Sequence, residues 1–296
     1  MSAWQVVDLS STDESLHVRI KNGHIVVNGQ NAAHLDDALC VIVNEATHAD
    51  IKVSFFTSAA THGVPVVCCD RFDRPVSMML PTSQHTRVAQ RHLAQQNLKL
   101  PKAKQAWQAV VRAKLRNQAT VVNDPEVSPR LRELAKEVKS GDPTNREAQG
   151  ARIYWRALLG DDFRREQASA DPLNGALNYG YTVVRGSTAR AITAAGLWPT
   201  LGIHHHAREN AWCLADDLME PFRPAVDMIA PIAAENFPSP ESRAILVGVV
   251  NEMFGETSLR AAMQDLAEHY AMFVEGSIDR LEVPLLRKSD VGDGDV

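Results

Sequence analysis

Several features are missing from this sequence, and each absence removes a class of protein. No apolar run approaches the roughly 20 residues that span a bilayer, so no membrane segment is expected. The opening residues, MSAWQVVDLSS, have neither a basic start nor an apolar core, so no secretory signal is expected either. The four cysteines, Cys40, Cys68, Cys69 and Cys213, form no CxxC pattern and read as reduced core residues of a cytoplasmic protein. There is no glycine-rich phosphate loop, no internal repeat and no low-complexity tract. What remains is ordinary for a globular chain: 296 residues, 45% hydrophobic and 23% charged. That is material for two domains or one large one.

A net charge of −5 argues against a nucleic-acid partner, but the average hides a segregation. Residues 1–81 carry 5 Lys and Arg against 9 Asp and Glu. Residues 82–165 carry 17 against 8, a net of +9. Residues 166–296 carry 9 against 19. A basic segment between acidic flanks can form a phosphate-binding stripe. The plainer alternative is a set of solvated helix faces.

The same divide separates two periodicities. The first 80 residues are β-rich. Strands are expected near Trp4–Val7, Leu16–Ile20, His24–Asn28, Asp37–Asn44, Val64–Cys69 and Val76–Leu80. Turn chemistry lies at Ser10–Asp13, Asn22-Gly23 and Asn28-Gly29, and Lys21-Asn-Gly-His24 is the strongest hairpin signal. Residues Ile51–His62 read as a short helix before Gly63. After Pro81 the period becomes helical, over Gln84–Gln96, Pro101–Asn117 and Arg130–Lys139. The small, acidic tail 289–296 is expected to be disordered. The fold class expected is therefore α+β: a small β-rich domain over 1–80, then a larger all-α domain over 81–288.

One stretch, Gly196 to Pro224, gathers unusual chemistry. His204, His205 and His206 precede an acidic cluster of Asp216, Asp217 and Glu220 by about one helix length. Trp212, Ala215, Leu218, Phe222, Val226 and Ile229 keep helical spacing through it. Asp216 and Glu220 are four apart and Asp217 and Glu220 three apart, so each pair shares a helix face and repels unless a cation lies between. A divalent cation with an upstream histidine would supply that charge. A solvated acidic face with loop histidines explains the same spacing. Further upstream, Thr144 and Glu147 fit a capping box, which competes with an inward, metal-facing role for Glu147.

Read together, these pieces resemble a known family. Glu147-Ala-Gln-Gly-Ala-Arg-Ile-Tyr-Trp155 resembles the first catalytic motif of the CRISPR-associated integrases, the Cas1 family. Asp171-Pro-Leu-Asn-Gly-Ala-Leu-Asn-Tyr-Gly-Tyr-Thr-Val-Val184 is similar to that family's central helix. Gly196-Leu-Trp-Pro-Thr-Leu-Gly-Ile-His-His205 and Asp217-Leu-Met-Glu-Pro-Phe-Arg-Pro224 are similar to its histidine and acidic motifs, in the wording of the type II branch. The order and separations match over nearly the whole chain. Among three consecutive histidines, the family pattern Gly-x-x-His from Gly202 points to His205.

The resemblance implies a metal-dependent DNA integrase. It would join the 3′-hydroxyls of a captured duplex to the CRISPR repeat by transesterification. Glu147, His205 and Glu220 would be the catalytic and metal ligands, with Asp217 a further ligand or a support behind them. The metal would be Mg²⁺ or Mn²⁺. The implied partners are double-stranded DNA, a second copy in an asymmetric homodimer, and a dimer of the small Cas2 protein clamped by two such dimers in a heterohexamer. Arg87, Arg91, Arg112, Lys114, Arg116, Arg146 and Arg152 become candidate phosphate contacts. Tyr179 and Tyr181 are expected to pack inside the helical bundle rather than touch DNA. Two other classes fit the same residues: a stand-alone metal-dependent nuclease on branched or single-stranded DNA, and a non-catalytic DNA-binding scaffold. Crowding of three carboxylates on one helix also implies that Glu220→Ala should not destabilise the metal-free fold.

Overall fold

A computed structural model describes residues 5–10, 15–82, 85–122 and 124–287. Trp4, residues 11–13 of the first expected turn, and the tail 289–296 lie outside the described residues. The fold is mixed α/β, with strands at the N-terminus and helices beyond them.

The strands are β1 (Gln5–Asp8), β2 (Leu16–Lys21), β3 (His24–Val27), β4 (Gln30–His34), β5 (Ala38–Asn44), β6 (Ala49–Ile51), β7 (Val66–Cys69) and β8 (Pro75–Met79). Helix α1 (Val53–Thr61) precedes β7. One four-stranded sheet has the order β1-β5-β7-β8 and the other β4-β3-β2-β6. The hairpin at Asn22-Gly23 forms as expected: both residues have positive φ, 50° and 77°, and Lys21 pairs with His24. A second such turn, Asn28-Gly29, leads into β4, which the sequence reading missed. Its residues, Gln-Asn-Ala-Ala-His, lack β-branched side chains, so pairing with β3 rather than propensity makes it a strand. Strand β6 was missed because three residues are too short to show a period.

Strand β5 runs parallel to β1 and β7 and is buried on both faces, hence its unbroken apolar run. Val6, Cys40, Ile42 and Val67 point to the helical core. Val7, Val41 and Val66 point to α1 and the second sheet, against Phe55, Val18 and Ile25.

The helices are α2 (Val88–Gln96), α3 (Leu100–Val122), α4 (Val127–Glu137), α5 (Arg146–Leu159), α6 (Pro172–Ala194), α7 (Cys213–Met219), α8 (Arg223–Ala234), α9 (Pro240–Gly248) and α10 (Leu259–Val274). Among the described residues none is long and apolar enough to cross a membrane. The helical part also holds a two-stranded antiparallel pair, Met253–Phe254 with Thr257–Ser258, so it is not all-α. Helix α6 is buried nearly all round and lies on the sheet at Gly186, where an added Cβ would meet Cys40 Sγ at 3.1 Å and Val67 Cγ2 at 3.2 Å. A polar cluster ties the two parts together. Tyr179 donates to Asp8 at 2.7 Å, Asn44 donates to Asp73 at 2.7 Å, and Arg243 pairs with Asp73 at 3.1 Å.

The single helix expected from Trp212 to Ile229 is broken. Helix α7 ends at Met219, Glu220–Phe222 form a 3₁₀ turn, and α8 starts at Arg223. Pro221 and Pro224 lack the N–H donors that a continuous helix would use. The break places Glu220 in a 3₁₀ turn between two helices rather than within one helix.

Candidate active site

Three carboxylates close in sequence go to three different partners. Asp216 forms a two-point pair with Arg185, at 2.7 and 2.8 Å, and accepts from Asn210 at 2.6 Å. Asp217 is fully buried and turns under the histidine loop. It accepts the backbone N–H groups of Ile203 at 2.5 Å, His204 at 2.9 Å and His205 at 3.3 Å. Glu220, 4% exposed, turns toward α3 and α5. A solvated acidic face is therefore ruled out.

The loop owes its shape to this buried carboxylate and to Gly202. A Cβ on Gly202 would lie 2.4 Å from the His205 carbonyl oxygen, 2.8 Å from Cys213 Cβ and 3.0 Å from Asp217 Oδ2. The histidines lie in the loop itself, several residues before α7, rather than at its start. His204 stacks on Trp107 with ring centroids 4.3 Å apart and planes 4° from parallel. His205 places Nδ1 2.6 Å from Asp217 Oδ1. A carboxylate only accepts, so Nδ1 carries the proton and Nε2 is the nitrogen left for a ligand. The bond to Asp217 raises the His205 pKa above its ordinary value, against the pull of partial burial.

Glu147 reaches the same region from α5. It is not caught in a capping box with Thr144. Asn145, in the left-handed conformation at φ 51°, caps the helix by accepting from Ala148 N–H at 3.2 Å. Asp142 takes the N–H groups of Arg146 and Glu147 at 2.9 and 3.0 Å. The Glu147 side chain is thus released toward α3. Close approach of the two helices depends on Gly150, where a Cβ would fall 2.1 Å from Leu115 Cδ2. Gly150 lies one turn beyond Glu147, and Leu115 is next to Lys114.

Lys114 closes the cluster. Its Nζ lies 2.6 Å from Glu147 Oε1 and 2.6 Å from Glu220 Oε2, so the two carboxylate oxygens are no more than twice that distance apart. Arg223 pairs with the other Glu220 oxygen at 3.2 Å. Burial works to lower the Lys114 pKa, but Glu220 and Glu147 outweigh it and the net shift is upward. Burial works to raise Glu220, and Arg223 with Lys114 reverse that, leaving it below its ordinary value. Oε2 of Glu220 is buried, and the Lys114 ammonium is the charge beside it.

Among the described residues no three His, Cys, Asp or Glu side chains are gathered closely enough to hold a metal as they stand. The donors nevertheless suit a hard divalent cation. Two carboxylate oxygens already embrace one positive charge, and an imidazole oriented by a carboxylate is nearby.

Glu220 and His205 line an open cleft of about 490 Å³, whose walls carry Arg74, Arg165, Arg185 and Arg223. Sequence reading did not name Arg74, Arg165, Arg185 or Arg223 as phosphate contacts: Arg165 is the last residue of the basic segment, and the other three lie outside it. Arg165 donates to the amide oxygens of Asn174 at 3.0 Å and Asn178 at 2.6 Å. Of the basic residues proposed from sequence, Lys114 and Arg91 are buried. Arg91 donates to the Ala195 carbonyl at 2.6 Å and pairs with Glu268 and Glu275, joining α2 to α10. Arg87 pairs with Glu275 at 3.0 Å and Arg146 with Glu137 at 2.9 Å. Arg112 donates to the Val138 carbonyl at 2.9 Å and, with exposed Arg116, lines a separate cavity along α3. Arg152 is exposed on α5. Tyr179 and Tyr181 pack inside as expected, and Tyr181 and Tyr154 both donate to buried Asp227.

Comparison with known proteins bears on this arrangement. A family model described as CRISPR associated protein Cas1 matches residues 8–235. The chain is 39% identical over 204 residues to a CRISPR-associated endonuclease Cas1 of Neisseria meningitidis serogroup C (strain 8013), covering 68% of this chain and 66% of that protein's length. Two solved structures share the fold at 17% identity. One is a Cas6-RT-Cas1–Cas2 complex, with a TM-score of 0.74 over 94% of this chain and 36% of that one. The other is a casposase bound to integration product, with a TM-score of 0.71 over 95% and 93%.

Proposed function

The chain belongs to the CRISPR-associated Cas1 family, and on that footing we propose that it is a metal-dependent DNA integrase of CRISPR adaptation. It joins the 3′-hydroxyl ends of a short captured duplex to the CRISPR repeat by transesterification. The observation that carries this reading is the grip of Glu147 and Glu220 on one buried positive charge, beside a histidine oriented by a buried aspartate.

Glu147, Glu220 and Nε2 of His205 would hold Mg²⁺ or Mn²⁺, whose charge polarises a phosphate and offsets charge on the departing oxygen. The chain's own groups prepare that chemistry. Asp217 keeps the proton on Nδ1 of His205 and fixes the ring. Arg223 holds Glu220 in its ionised form. The arginines of the cleft wall offer donors to phosphate oxygens. In the reaction, the incoming 3′ oxygen bonds to phosphorus as the bond from phosphorus to the leaving oxygen breaks.

The same reading makes the chain a cytoplasmic homodimer that binds double-stranded DNA and assembles with Cas2 as a heterohexamer. Residues 1–80 serve dimerisation and 81–288 serve catalysis. The fold it shares with a Cas2-containing complex and with a casposase on integration product supports this.

The test is an integration assay with the purified protein, Cas2, a 3′-hydroxyl duplex and a supercoiled repeat plasmid. Joining is expected with Mg²⁺ or Mn²⁺, and Glu147→Gln or Glu220→Gln should abolish it while leaving the gel shift of the donor duplex intact. Glutamine suits this test better than alanine. Glu220 is paired with two cations, so Glu220→Ala would leave buried Lys114 with Glu147 alone and take the carboxylate from Arg223, destabilising the fold, contrary to the expectation from carboxylate crowding. Cleavage of branched or single-stranded DNA without Cas2, and no joining, would replace this reading with a stand-alone nuclease. Binding with no chemistry would leave a scaffold.

A further inference from the structure

We propose that Lys114 is a resident counter-ion of the candidate metal site: it holds Glu147 and Glu220 together in the metal-free protein and must leave for the metal to enter. The proposal rests on the metal reading given above.

Four observations support it. The Lys114 ammonium touches one oxygen of each carboxylate at 2.6 Å, so it occupies the same oxygens a metal held by Glu147 and Glu220 would need. Glu220 is itself buried, 4% exposed, so the charge on Oε2 is met inside the site by Lys114 rather than by solvent. Lys114 itself is 9% exposed on the inner face of α3, between fully buried Leu115 and nearly buried Ala113. A buried ammonium is stable there only while its carboxylates are present. The charge balance points the same way. Lys114 and Arg223 already match the charges of Glu147 and Glu220. Adding a divalent cation while Lys114 stays would put two centres of positive charge on the same two oxygens. Release of Lys114 relieves that conflict, and its flexible four-carbon stem allows the head to swing away. Glu147 is a quarter exposed, which gives the head a way out on that side.

Lys114 is thus a positioning residue. It keeps the two carboxylates preassembled, so α3, α5 and the 3₁₀ turn pack without mutual repulsion, and it sets the metal affinity by competition.

The experiment uses the full chain and Mn²⁺ alone as probe. Mn²⁺ binding is measured by calorimetry on the unsubstituted protein and on Lys114→Met, Lys114→Arg and Glu147→Gln. Lys114→Met is expected to bind Mn²⁺ at least tenfold more tightly and to melt lower without metal. Lys114→Arg, whose fork grips carboxylates more firmly, is expected to bind Mn²⁺ more weakly while keeping its melting temperature. Amine labelling followed by mass spectrometry supplies a readout on the unsubstituted protein, whether or not Lys114→Met folds. Lys114 should be protected without metal and become reactive as Mn²⁺ saturates. Unchanged or weaker Mn²⁺ binding by Lys114→Met, or protection of Lys114 that persists at Mn²⁺ saturation, overturns the proposal and leaves the metal site standing. No Mn²⁺ binding by the unsubstituted protein, and no difference in Glu147→Gln, overturns both.

Discussion

At the scale of single residues, adjacent histidines have opposite duties. His205 is bonded to Asp217, whereas His204 lies flat on Trp107. His205→Ala is expected to abolish strand joining with little change in melting. His204→Ala should keep joining activity and lose about 0.5–1.5 kcal/mol of stability from the lost stacking. An integration assay paired with thermal melting separates them, and the reverse pattern would move the functional histidine by one position. Asp227 makes a second prediction. Burial raises its pKa from 3.8 to about 6, despite the hydrogen bonds from Tyr181 and Tyr154 and the nearby cations. A carboxyl raised in the folded state contributes stability fully below its unfolded pKa and loses it as pH climbs through the folded value. Relative to Asp227→Asn, the unsubstituted protein should therefore gain on the order of 2 kcal/mol as pH falls from about 7 to about 4. Melting of both proteins across that range checks it, and a constant difference would mean Asp227 titrates normally.

At the scale of elements, the site depends on how closely three segments approach. Trp107 and Lys114 are seven apart on α3, two turns along one face, so this helix supports the histidine loop at one point and the two glutamates at the other. Gly150 allows α5 to come near enough. Gly150→Ala should cost about 1–3 kcal/mol, because fully buried Leu115 has no room to yield. It should also weaken Mn²⁺ binding by carrying Glu147 away from Glu220. Denaturant unfolding and Mn²⁺ titration measure the two effects, and a stable variant with unchanged binding would show that the helices can adjust. In the histidine loop, the obstacle to a Cβ at Gly202 is the backbone oxygen of His205, which cannot rotate aside.

At the scale of the molecule, the distribution of free charge matters more than the count of basic residues. Much of the basic middle segment is used internally, as the pairs of Arg87, Arg91, Lys114 and Arg146 show. On the cleft wall, Arg185 is balanced by Asp216 and Arg74 by Asp70. Arg165 is held by neutral amides and keeps its charge available to a phosphate. Arg165→Gln should flatten the slope of log affinity against log salt by roughly one unit in duplex binding, and Arg185→Gln by less. Equal slopes for both variants and the unsubstituted protein would place the DNA path elsewhere, with Arg112, Arg116 and Arg152 the next residues to test.

Features that depend on local chemistry were legible in the amino-acid order alone. Two Asn-Gly pairs required positive φ and made turns, an unbroken apolar run made the buried strand β5, and Trp107, Val110 and Leu115 marked the buried face of α3. The motif wording singled out Glu147, His205 and Glu220 by family likeness. Tertiary structure decided the rest, because the deciding partners are distant in sequence. Strand β4 exists because β3 supplies its hydrogen bonds. Glu147 avoids Thr144 because Asn145 and Asp142 take the helix end and a lysine on another helix takes the side chain. Asp216, Asp217 and Glu220 look like one cluster in the sequence and are three separate contacts in the fold. A helix break at Pro221 and burial against different cations and N–H groups divide them, since a buried carboxylate persists only where positive charge or donors meet it.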